Sequence, residues 1–108
     1  MNIYRQGDVL VVPVKAVPAG AETVARERGR AVLAHGEVTG HHHSIVDGSA
    51  SLVTQGEADE LRMWLRVTGT SAVALEHQEH ATIMVPPGVY EVVRQREYTP
   101  EEIRRVMD

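Results

Sequence analysis

Turn-forming residues recur about every eight to twelve positions along this chain, and only short apolar, β-branched runs stand between them. That punctuation leaves no room for a long amphipathic helix and favours many short strands. Asp8-Val-Leu-Val-Val-Pro-Val14 is too short for a helix, and Pro13 marks a strand end or an edge. Further strands are expected at Ala31–His35, His41–Val46, Ala50–Thr54, Leu61–Val67, Ser71–Leu75, Thr82–Val85 and Val89–Gln95. Asp47-Gly48 reads as a hairpin turn between two of them. Val17 to Arg30 reads as a loop with one helical turn around Glu22–Arg28, and Gln55–Asp59 as a polar loop. At the C-terminus, Thr99-Pro100-Glu101-Glu102 places Thr at an N-cap, Pro at the first helical position and Glu at the third. A short helix over about 100–107 follows, burying Ile103 and Val106. The expectation is one all-β domain over 1–108, a small barrel or sandwich with that helix covering one end.

Length and charge narrow the function. A chain of 108 residues holds one core of ordinary size. With 11 Lys+Arg against 15 Asp+Glu it carries a net charge of −4, which argues against a general nucleic-acid binder. No apolar run approaches the roughly 18 residues of a membrane span, and no signal-like segment follows Met1, so a soluble, cytoplasmic protein is expected. There is no cysteine, which removes disulfides, thiolate metal sites and thiol nucleophiles.

The histidines carry the chemistry. Residues 41–90 hold five of the six, namely His41, His42, His43, His77 and His80, with only Arg62 and Arg66 as basic residues among six carboxylates. On an extended strand, His41, His43 and Ile45 share one face, and His42, Ser44 and Val46 the other. A His-x-His pair on one face is a recurrent way to hold a transition metal through neutral imidazoles. The third ligand is expected from His77 or His80. Their spacing suits a bent loop, so that on a straight strand only one of them would join His41 and His43. His35 and His42 read as structural or exposed. The expected cofactor is a divalent transition metal: Zn, Fe, Mn or Ni.

Two resemblances accompany these residues. Gly36-Glu-Val-Thr-Gly-His-His-His43, His77-Gln-Glu-His80 and Pro86-Pro-Gly-Val-Tyr-Glu-Val-Val-Arg-Gln-Arg-Glu-Tyr98 resemble a family of small bacterial and phage proteins, a likeness that brings no biochemical role with it. The layout is also similar to a minimal cupin barrel. Gly36, His41, His43 and Asp47 fall near the first cupin motif, with Asp in place of Glu and Thr54 near its closing glycine. Pro86-Pro87-Gly88 matches the second, where Glu91 takes the place of the usual His and Gln95 that of Asn. That resemblance implies a ligand set of His41, His43 and Glu91, two imidazoles and a carboxylate of the kind that suits non-haem Fe(II). Glu91 lies between Val89 and Val93 on one strand face, where a buried carboxylate needs a partner.

The preferred reading is a metal-binding β protein, with metal-dependent chemistry on a small-molecule substrate if a coordination position stays open. A second reading is metal-independent acid–base cleavage of a phosphodiester by two histidines, with Arg94 and Arg96 binding the phosphoryl charge. Nucleic acid is a partner only under that reading. A third is a non-enzymatic module that binds another protein, with a homodimer compatible through an edge strand at Pro13. There is no Walker loop, dinucleotide fingerprint or nucleophile elbow. Ser44 and His43 face opposite sides of one strand and make a poor nucleophile–base couple.

Overall fold

The computed structural model describes residues 2–36 and 40–95. Ten strands run in chain order: β1 Tyr4–Gln6, β2 Val9–Pro13, β3 Glu22–Thr23, β4 Ala31–His35, β5 His42–Ile45, β6 Ala50–Gln55, β7 Arg62–Val67, β8 Val73–Glu76, β9 Ile83–Val85 and β10 Gly88–Arg94. A 3₁₀ turn, Ala58–Glu60, separates β6 from β7. The described residues are all-β, as the turn spacing implies. The expected helix over 100–107 lies outside the described residues. No helix among the described residues is long and apolar enough to cross a membrane.

The strands form two antiparallel sheets, one in the order β1-β2-β10-β7-β6-β3 and one in the order β4-β5-β8-β9. The described strands therefore do not close into a single cupin-like barrel, because each sheet keeps two edges. Their inner faces share one core. Val9, Val11, Leu52, Leu65, Val67 and Tyr90 come from the larger sheet, and Leu33, Ile45, Val73, Leu75 and Val85 from the smaller. Interdigitation of two inner faces in this way is the packing of a sandwich.

β2 reads as a continuous apolar run because all five of its residues are buried. It lies inside the sheet between β1 and β10, and Pro13 is its last residue, paired with Tyr90 of β10 beyond the point where the β1 pairing ends at Tyr4↔Val11.

Two hairpins set up the functional region. Gly7-Asp8 joins β1 to β2, with Gly7 at φ +61 supplying the left-handed conformation that a two-residue turn needs. The second replaces the expected helical turn around Glu22–Arg28. There the chain forms β3 and then a tight turn in which Glu27 and Arg30 exchange backbone hydrogen bonds of 2.9 and 3.0 Å. Arg28 and Gly29 both adopt positive φ, 50° and 78°, as such a turn demands. Just before it, the Arg26 guanidinium donates to the carbonyls of Gly29, Ile45, Val46, Asp47 and Ala50, which ties the β5–β6 turn to this hairpin.

Candidate functional site

β5 presents its residues with the alternation that an extended strand imposes. His43 and Ile45 turn inward and are buried, while the His42 ring shares the other face with Ser44, as their 2.9 Å hydrogen bond shows. β8 pairs with β5 through Ser44↔Glu76 and Ile45↔Leu75, so the chain leaving β8 passes beside His43. That segment, His77 to His80, bends instead of continuing as a strand. The bend brings in both of its histidines rather than one. The His43 ring lies 4.3 Å from that of His77 and 6.0 Å from that of His80, which it faces nearly parallel; His77 and His80 are 4.6 Å apart. His41 meets His77 edge-on at 5.7 Å. Four imidazoles from two segments distant in sequence thus form one cluster.

Two residues complete it that sequence reasoning did not single out, Gln6 and Asp8. Gln6 is buried and donates its amide hydrogens to the carbonyls of Leu75 at 2.8 Å and Ala81 at 3.0 Å. Its Oε1 must therefore accept from His43 Nδ1, 2.8 Å away. Asp8 lies 4.0 Å from His43 Nε2 and takes Arg94 Nη2 at 3.2 Å. The available signal was Gly7-Asp8 between two extended runs, a two-residue hairpin pattern.

The hydrogen bonds assign proton positions. With Nδ1–H given to Gln6, neutral His43 keeps its lone pair on Nε2. His41 Nδ1 lies 2.9 Å from Glu79 Oε1, an ion pair that favours a proton on Nδ1 and leaves Nε2 available when the ring is neutral. His77 is the reverse. Its Nδ1 accepts from the backbone N–H groups of Glu79 at 3.0 Å and His80 at 3.3 Å, which leaves the proton on Nε2. Burial, then the nearby His77, push the His43 pKa down to about 4, against a smaller opposing pull from Asp8. Desolvation and the neighbouring His80 and His41 lower that of His77 as well.

Gly7 backs the cluster closely. A Cβ there would come within 2.8 Å of His80 Nε2 and 3.4 Å of His43 Cε1. On the far side of Asp8, Arg94 Nε is buried without a hydrogen-bond partner among the described residues.

The remaining expected site residues fall elsewhere. Glu91 does not join the histidines. It is 1% exposed and takes Arg62 through both carboxylate oxygens, with Nε–Oε2 at 2.9 Å, while the guanidinium lies 5.1 Å over the Trp64 ring. Arg62, rather than a metal, satisfies the buried carboxylate. Arg94 meets the cluster by its ion pair with Asp8, and Arg96 lies outside the described residues. Among the described residues, no three His or carboxylate side chains stand in a geometry ready to hold a metal ion.

A family model described as a domain of unknown function (DUF8820) matches residues 5–95, a span that holds both hairpins and the whole cluster. No curated protein and no solved structure matches the chain.

Proposed function

The chain belongs to the DUF8820 family, and we propose that it binds a divalent transition metal through His41 and His43, with His80 as the third ligand. The proton assignment carries this reading. Metal-binding histidines characteristically give their other ring N–H to a carboxylate or carbonyl, which fixes the tautomer and the ring. His43 does so, to Gln6, and His41 turns its Nδ1 to the Glu79 carboxylate as an ion pair at 2.9 Å. His77 spends its lone pair on two backbone amides and would have to surrender them to coordinate, so His80 is the better partner.

His80 is exposed and lies against Gly7, free to change rotamer toward a shared ion. An imidazole donor set without thiolate suits Zn, Ni or Fe better than Mn. With three protein ligands, a metal keeps a coordination position open and supplies activation of water near neutral pH. A small-molecule substrate fits that chemistry.

Elemental analysis of untagged protein, equilibrated with Zn²⁺ and passed through gel filtration, tests it. About one ion per chain is expected. His41→Ala/His43→Ala should lose the ion, His80→Ala should weaken it, and His77→Ala should keep it. Wild-type protein that emerges without metal, or a double variant that retains it, overturns the proposal.

One observation supports the second reading, metal-independent acid–base chemistry. His43, a lone-pair acceptor at Nε2, and His77, a donor at Nε2, sit with rings 4.3 Å apart. Cleavage of RNA or DNA that survives a chelator and vanishes in His43→Ala would establish it instead.

A further inference from the structure

The opposite face of β5 holds a second constellation. A cavity of about 240 Å³ is lined there by Arg30, His42, Ser44, Glu76, His77 and Gln78. The Ser44 hydroxyl is fully buried and accepts from Arg30 Nη1 at 3.1 Å. Its own proton has one acceptor among the described residues, His42 Nδ1 at 2.9 Å, so the His42 proton sits on Nε2. Full burial bars Ser44 from nucleophilic attack and makes it a positioning residue.

Gln78 accepts the His42 backbone N–H through Oε1 at 2.9 Å, which turns its amide nitrogen into a donor without a partner among the described residues. Among the described residues the Arg30 side chain uses only Nη1, on Ser44 and on Glu76 at 3.1 Å, and keeps its remaining N–H groups. His77 adds a fourth donor at Nε2. The wall thus presents unspent donors from four side chains against one carboxylate, Glu76, already held by Arg30.

We propose that this cavity binds the phosphoryl group of a small phosphomonoester. Donors from four separate side chains match the several oxygens of a tetrahedral dianion better than the two of a planar carboxylate. An adjoining cavity of about 470 Å³ shares Arg30 and His42 and adds Arg28, His35 and Val32, which gives room and one apolar wall for the organic part. Its carboxylate, Glu27, is engaged by His35 at 3.1 Å. The inference does not rest on the metal reading, in which Arg30, His42 and Gln78 take no part and His77, although it packs against His43, is not a ligand.

The test is a titration of ¹⁵N-labelled full-length protein with inorganic phosphate and with glycerol phosphate, against acetate at matched ionic strength. Saturable shifts are expected at Arg30, His42, Ser44 and Glu76 to Gln78 with both phosphates. Arg30→Gln should weaken them about tenfold. Glu76→Gln should strengthen them severalfold, a gain that damage to the fold would not produce. Equal saturation by acetate, shifts centred elsewhere, or no saturation in either wild type or Glu76→Gln overturns the proposal.

Discussion

Gln6 Oε1 accepts the Nδ1 proton of His43 at 2.8 Å, across 37 positions of sequence, and that bond decides which nitrogen of His43 is free. The same amide donates to the carbonyls of Leu75 and Ala81. Gln6→Ala therefore strands one buried donor and two acceptors at once. Leaving such groups unpaired costs about 1–3 kcal/mol each, reduced wherever water enters the gap, so a net loss of about 2–4 kcal/mol is expected in urea unfolding. Zn²⁺ affinity should fall about 10-fold or more, because the ring is no longer held.

Acid should destabilise the metal-free protein before its carboxylates titrate. The folded His43 has its pKa lowered to about 4, against 6.5 for the ordinary imidazole. Between those values the unfolded chain binds a proton that the folded protein refuses, so stability falls as pH drops. Above about 6.5 neither state binds it, and the contribution is fully present. His77 and His80 press in the same direction, Asp8 in the other, and Arg94 adds to the lowering. The loss reaches about 3 kcal/mol at most by the time pH approaches 4. Urea unfolding in chelator at about pH 7.5 and about pH 4.5 measures it, and His43→Gln should flatten the difference.

Gly7 separates the site from the scaffold. Gly7→Ala sets a methyl group within 2.8 Å of His80 Nε2 at a backbone φ of +61°. The left-handed conformation costs an alanine about 1–2 kcal/mol. The His80 side chain is exposed and can swing away, so the fold should survive at that cost. Metal affinity should drop by about tenfold as well, in calorimetric titration with Zn²⁺.

Short-range periodicity made part of this architecture readable. The sorting of His43 inward and His42 outward follows from the two-residue repeat of β5, and the strand positions follow from runs bounded by turn residues. What escaped was set by register between distant strands. Gln6 sits on a three-residue strand with an exposed arginine at its centre, too short to show a pattern. Its role depends on the carbonyls of Leu75 and Ala81, which only the folded chain brings near. The bend at His77–His80 brought in both imidazoles because His77 Nδ1 caps the amides of Glu79 and His80, a local bond that spacing alone does not reveal. Arg28-Gly29 hid as a loop because arginine seldom takes positive φ.

The pairing of Glu91 with Arg62 shows the same limit and can be tested directly. Glu91↔Trp64 is a cross-strand pair of β10 and β7, and Arg62 reaches Glu91 from two residues along β7, on the same face. Arg62→Ala would leave a carboxylate that is 1% exposed without this cation. Breaking a fully buried pair in that way costs about 3–5 kcal/mol. With Arg62 itself half exposed, about 2–3 kcal/mol is the better expectation. Glu91→Gln alone should cost less, since an amide needs no counterion. The double variant Arg62→Ala/Glu91→Gln should recover part of the Arg62→Ala loss, giving a coupling energy of about 1–2 kcal/mol. A double-mutant cycle by urea unfolding reads that coupling. Zn²⁺ binding should be unchanged in all three variants, because Glu91 is bound to Arg62 and stands apart from the histidine cluster.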